Sequence, residues 1–381
     1  MTAGSFVDPN SDIIGRGLAG RPSLETALAW IDAVPALPAV EEVAAAEAGG
    51  RVLAALVPAT RDHPEFDRAA VDGYAVRAAD TIGAGGYSPL GPASAVVVPA
   101  GRPLPPGTDA VVPVEAVQPA PDGGIEVTAP LAEGEGVERA GRRLSRGAPG
   151  IDVTGRPLRP EQLGLLAELG AGTVFVFARP RVRLAVRGAK PPDADSLTPM
   201  LCGLIVRDGG VAAPDRGAAA DLIVMAGRSG TGVDDDGAAR LAADGGWLDL
   251  HGLALRPGGS AGLGWLGGVP VLLLPGEPLA CLTVWELLAA RLLRRLAGRA
   301  DLSCHPAAGV LAGRKFVSRI GSVDVVRVRL VSGRAEPIGS LEGGGLAAAA
   351  RADGFVVIPA AREGYAPGEA VTVHFHGAND P

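Results

Sequence analysis

"ADLIVMAGRSGTGVDDD", residues 220–236, runs from an apolar strand into a glycine-rich turn, and "VPVLLLPGEPLA", residues 269–280, repeats the design. Each apolar run is continuous rather than alternating, as in a strand covered on both faces. The helix after the second run, "PLACLTVWELLAARLLRRLAG" (278–298), starts with proline in its first turn, where the lost N–H costs nothing. Upstream, "TVFVFARPRVRLAVRGA" (173–189) supplies further strands and "SLTPMLCGLIVRDGG" (196–210) a helix. Apolar strands that end in glycine loops and helices predict a parallel α/β sheet over 179–304.

Working outward, the texture changes on both sides. "SLETALAWIDAV" (23–34) has an N-cap serine and helical spacing, and "LRPEQLGLLAELGAG" (158–172) is a second helix expected to pack beside it. Residues 23–59 and 146–178 then make one elongated, discontinuous α+β first domain. Residues 60–145 carry short β-rich runs broken by proline and glycine, which predicts an inserted β-rich domain. Residues 305–381 read as a small C-terminal β barrel, and 1–22 as a disordered tail. With 381 residues the chain is long enough for this α/β multidomain plan.

Composition narrows the function. A net charge of −7 argues against non-specific nucleic-acid binding. No apolar stretch is long enough to span a bilayer, and no secretory leader is evident, so a cytoplasmic chain is expected. The cysteines Cys202, Cys281 and Cys304 have no metal-site spacing.

Several stretches could carry chemistry. In 226–236 the glycines let backbone N–H groups converge on an anion, and Asp234, Asp235 and Asp236 could hold Mg²⁺ through oxygen ligands; an ordinary turn with a solvated acidic run is the competing reading. The 275–278 junction is expected to flank the same pocket. "AAVDGYAVRAADT" (69–81) sets Asp72 and Tyr74 in an apolar segment, either as a turn or as a carboxylate offered to a ligand. His374 and His376 of "HFH", lacking a third ligand in sequence, read as a surface feature, and the charges of "LLRRLAGR" as a solvated helix face.

Taken together, these motifs resemble one family. "HPEFDRAAVDGYAVRAADT", "PAGRPLPPGTDAVVPVE", "DLIVMAGRSGTGVDDD", "LLLPGEPLACLTVWELLAARLLRRLAG" and the tail from "SRIGSVDVVRVRLV" occur in the order found in molybdopterin molybdenumtransferases, the MoeA/gephyrin E-domain family. The resemblance implies insertion of molybdate into adenylylated molybdopterin with Mg²⁺ and release of AMP, in a homodimer whose cleft joins the α/β domain of one subunit to the β-rich domain of the other. Carried over by position, Asp72, Asp235 and Arg256 are the catalytic candidates, with Asp235 the metal ligand. Gly227, Ser229, Gly230, Gly232, Pro275, Gly276, Glu277 and Pro278 are the molybdopterin-binding candidates. Arg327 matches an arginine of the family's last domain. The chain also departs from the pattern: Ala100 replaces a threonine, Arg142 and Arg143 replace acids, Ala189 and Lys190 stand at acid positions, Leu197 and Glu277 replace asparagines, and Gly230 and Val233 replace a serine and an aspartate. Turn-forming residues are kept while acids are lost. That leaves a second reading, a molybdopterin-binding carrier on the same scaffold serving a molybdoenzyme, and a third, a partner subunit for an intact paralogue.

Overall fold

The computed structural model describes residues 20–121, 123–187, 195–213, 219–338 and 345–377. The expected tail through residue 19, and Ala189 and Lys190, lie outside the described residues. The chain divides into two compact units, Glu42–Val176 and a second made of Met1–Glu41 with Phe177–Pro381.

In the second unit a six-stranded sheet has the spatial order Val211–Ala213, Arg181–Val186, Leu222–Ala226, Val269–Leu274, Gly262–Leu266, Trp247–His251. Its first four strands are parallel, as the apolar runs predict, and the last two are antiparallel. The antiparallel pair escaped sequence reading because Gly262 and Gly264 break its pattern. Gly264 is required there: a Cβ would lie 1.9 Å from the Trp247 carbonyl oxygen. Both sheet faces are covered. Leu222, Val224 and Leu272 join the main core, whereas Ile223 and Val271 pack with Leu241 on the other face.

The long helix begins at Pro278, passes through one π-helical turn at Trp285–Ala289, and ends at Leu296. It buries Trp285, Leu288, Leu292 and Leu293, each worth roughly 1.5–3 kcal/mol of transfer free energy. Helix Leu24–Ala33 adds Ala27 and Ile31 to this core. The helix at Pro160–Glu168, expected to share a domain with it, closes on Leu53, Ile151, Val174 and Val176 within the other unit. The reason is pattern: both helices are short and amphipathic, and nothing local says which apolar face seeks which core.

The C-terminal region is a closed five-stranded barrel, as predicted. Val323–Val331 pairs with Arg334–Pro337, then come Ala307–Ala312, Ala370–Phe375 and Gly354–Ile358, which returns to Val323–Val331. Phe316, Val328, Val356, Ile358 and Val373 fill it. In the Glu42–Val176 unit, Gly73–Val76 is the middle strand of a three-stranded sheet between Val96–Val98 and Ala110–Pro113.

Candidate functional site

The parallel register places Ala226 beside Leu274, so their two loops leave the sheet together at its carboxyl edge. Contact between them is backbone to backbone. A Cβ on Gly276 would stand 3.2 Å from the Gly227 Cα, and one on Gly227 would stand 2.0 Å from the Arg187 carbonyl oxygen. Gly227 has φ +92°, and its N–H donates to the Leu274 carbonyl. The next residue, Arg228, is one of two non-glycine residues with positive φ among those described, at 55°. Backbone held in that region marks a loop fixed by its surroundings. The loop that carries Gly227, Ser229, Gly230, Gly232 and Asp235 therefore meets the loop of Pro275, Gly276, Glu277 and Pro278 at Gly227, Arg228 and Gly276.

Ser229 is buried, and its hydroxyl lies 2.8 Å from that of Ser260 in a third loop. The His251 Nε2 donates to the Ser229 carbonyl at 2.9 Å, which leaves Nδ1 as the buried, unprotonated nitrogen without a partner. Burial lowers the pKa of His251, against the smaller opposing effects of the Ser229 hydrogen bond and Asp235. Arg256 ends the short strand Leu255–Arg256, which pairs with Val323–Val331 just before this third loop; its guanidinium meets Asp324 of the barrel at 3.3 Å, and Asp324 also accepts from the Ser318 hydroxyl at 2.8 Å.

The carboxylates at the rim serve the backbone. Asp235 Oδ2 accepts the Gly232 N–H at 2.7 Å, and Gly230 is needed because a Cβ there would come within 2.6 Å of the same oxygen. Glu277 is the N-cap of the long helix, accepting from the Leu279 and Ala280 amides at 3.0 and 2.6 Å. Asp236 pairs with Arg240 and, at 3.7 Å, with Arg228; the Arg240 hydrogen bond leads the causes that lower its pKa. In the other unit, exposed Asp72 accepts the Ala100 amide at 2.8 Å, and Gly73 packs where a Cβ would meet the Val112 carbonyl at 2.0 Å.

Two buried charge clusters were missed by sequence reading. Asp208, with no exposed surface, accepts from Arg207, from Arg294 at 2.9 Å and from the Trp285 indole at 2.8 Å. Arg295 donates to the Ile31 and Val34 carbonyls at the end of the first helix. The "LLRR" charges are therefore not a solvated face; the acceptors that draw them inward lie far away in sequence. The second cluster centres on Glu286 in the π-helical turn. Its Oε2 meets Arg327 Nη2 at 2.8 Å, while His305 Nε2 and His376 Nδ1 lie 3.5 and 3.4 Å from Oε1. Burial opposes the charge of Glu286, but Arg327 and His305 outweigh it and bring its carboxyl down to about 2. Burial would also depress His305, yet Cys304 and Glu286 raise it to about 9; His376, pushed down by burial, falls to about 4. His374 and His376 are half-buried rather than a surface feature, and His374 stacks on Phe355 at 5.1 Å. Arg327 is also buried, bound to Glu286, Thr283 and His376.

Comparison with known proteins finds family matches on either side of the glycine loops. A sequence model of the MoeA N-terminal region (domain I and II) matches residues 22–170, and one of the MoeA C-terminal region (domain IV) matches 310–375. Molybdopterin molybdenumtransferase 1 of Mycobacterium tuberculosis is 29% identical, over 93% of this chain and 98% of its own length. Molybdopterin molybdenumtransferase 2 of the same organism is 31% identical over 67% and 75%. Among solved structures, the molybdopterin biosynthesis MoeA protein from Pyrococcus horikosii superposes with a TM-score of 0.76 at 30% identity, covering 93% of this chain and 99% of that one.

Proposed function

Because the chain belongs to the MoeA family and so acts in molybdenum cofactor biosynthesis, we propose that the loops at Gly227 and Gly276 cradle adenylylated molybdopterin while molybdate is inserted and AMP leaves. The observation that carries this reading is the backbone contact of those two glycine loops at the carboxyl edge of adjacent parallel strands. A side chain on Gly276 would press on the Gly227 backbone, and one on Gly227 would collide with the Arg187 carbonyl. Backbone N–H groups and the nearby Arg187 and Arg228 suit an anionic ligand.

Asp235 is proposed as the carboxylate nearest the reacting groups. Arg256, held by Asp324, is proposed to add positive charge to the third loop. Magnesium is a poor fit to these residues: Asp235 Oδ2 is committed to the Gly232 amide and Asp236 to two arginines, whereas Mg²⁺ takes an octahedral set of oxygens. No proposed step runs through that ion. Asp72 is proposed to reach a neighbour's cleft in a homodimer; Asp72→Asn should lower turnover without moving Tm, and a fall in Tm instead would leave it a turn residue. Cytoplasmic residence is part of the same proposal, and among the described residues no helix is long and apolar enough to cross a membrane.

A second reading has its own support. Both rim carboxylates, Asp235 and Glu277, bind amides of their own loops, which suits a carrier that holds the pterin without adenylate cleavage. Purified protein with adenylylated molybdopterin, molybdate and Mg²⁺ separates the two. AMP release with molybdenum transfer supports the enzyme, pterin retention without release supports the carrier, and neither binding nor release removes both.

A further inference from the structure

His376 of "HFH", left unexplained by the sequence, acquires once folded the companion ligands it lacked. His376 at the end of the last strand, His305 in the segment after the long helix, and Glu286 in its π-helical turn present ligand atoms that all lie within 4.8 Å of one another. The three come from separate elements, so the fold itself assembles them. π-Helical turns of this kind occur frequently at functional sites.

We propose that Glu286, His305 and His376 form a binding site for a divalent transition-metal ion of the zinc class. His376 Nδ1 and His305 Nε2 stand 3.4 and 3.5 Å from Glu286 Oε1. Those two distances are long for hydrogen bonds and match the roughly 3.3 Å between ligands that each lie about 2.0–2.1 Å from a tetrahedral ion; the two imidazole nitrogens, within 4.8 Å of each other, draw to the same spacing when the ion binds. His305 is already oriented as a ligand. Its Nδ1–H donates to the Phe375 carbonyl at 2.8 Å, which fixes the ring, and its Nε2 has no hydrogen-bond partner although the side chain is only 4% exposed. A ligating imidazole is usually held in this way through its other nitrogen. Arg327 holds Glu286 Oε2 at 2.8 Å, leaving Oε1 for the ion. The His376 side chain, 22% exposed, gives the site an outer edge and room for a solvent ligand.

Two imidazoles and one carboxylate favour zinc, cobalt or nickel over magnesium or calcium. On loading, His305 releases the proton of its Nε2 to solvent, and one contact must change. Arg327 Nη1 now donates to His376 Nε2 at 3.1 Å, and a metal on Nδ1 would put the ring proton on Nε2, so the guanidinium must turn away from it. The ion and this hydrogen bond are therefore alternatives, and binding should tie the barrel's last strand to the long helix more firmly than the charge cluster does alone.

The test uses the full-length protein stripped with a chelator and reloaded separately with Co²⁺ and Zn²⁺. Expected are a single ion per chain after desalting, the intense visible absorption of four-coordinate cobalt, and a rise in Tm with zinc. His376→Gln, the substitution at the least buried ligand, should reduce retained metal to background. Retention by the wild type no greater than by His376→Gln, or only the weak absorption of six-coordinate cobalt, would overturn the site. If His376→Gln fails to fold, the wild-type cobalt spectrum decides alone. The readouts do not involve pterin, so their failure would leave the proposed function untouched.

Discussion

The rim of the glycine loops and the cluster around Glu286 both use carboxylates, in opposite ways. At the rim, Asp235 and Glu277 accept from amides two to three residues away, so each is a local device that shapes its own loop or caps its own helix. Around Glu286, itself closed off from water, the partners are Arg327, His305 and His376, brought from elements distant in sequence. A carboxylate of the first kind is cheap to replace and leaves the fold intact. One of the second kind is costly to disturb, because whatever remains is a buried charge without its partner.

The contrast breaks most readily at Arg327. Arg327→Met should cost about 3–5 kcal/mol in denaturant unfolding, since Glu286 would stay buried with its main counter-charge gone; a loss under about 1 kcal/mol would mean that the histidines alone can neutralise it. Next comes Gly227→Ala, where the backbone strain of a side chain at φ +92° is roughly 1–3 kcal/mol and the Arg187 carbonyl must also move. Unfolding in urea would read it, with a neutral result denying that the cradle is rigid. Glu277→Ala should lose the helix cap, about 0.5–2 kcal/mol, while Glu277→Gln keeps an acceptor and most of that stability. Equal losses in the two would show that charge rather than capping matters there.

The smallest effect expected is on pH. Because the His251 pKa is lowered from 6.5, the unfolded chain takes up its proton before the folded protein does. The stabilisation is present above about pH 6.5 and is lost as pH falls through the lower folded value. Thermal unfolding from pH 8 downward should show this decline added to those from His374 and His376, and His251→Gln should make the curve shallower. An unchanged slope in that variant would place the proton elsewhere.

Legibility followed the same divide. The apolar runs at 222–226 and 269–274, their glycine turns and the barrel strands could be read directly, because local pattern sets them. So could the convergence of the two loops, since a parallel sheet with both runs adjacent leaves their ends side by side. The role of Glu277 was within reach too: an acid just before Pro278 at a helix start is a capping signal, although the resemblance drew attention to ligand binding instead. By contrast, nothing near Arg294 announces Asp208, and nothing near His376 announces Glu286. Separations of 86 and 90 residues are closed only by folding. The same limit sent the helix Leu24–Ala33 to the wrong core.

The central claim is that the paired glycine loops are the pterin cradle, and Gly276 tests it with least harm to the fold because the residue is exposed. Equilibrium binding of molybdopterin, followed by pterin fluorescence, should be clear for the wild type. It should weaken by at least about tenfold, or ~1.4 kcal/mol, in Gly276→Val, with the variant still folded at the assay temperature and less destabilised than Gly227→Ala. Equal affinity in the two proteins, or no binding by the wild type, would contradict the account.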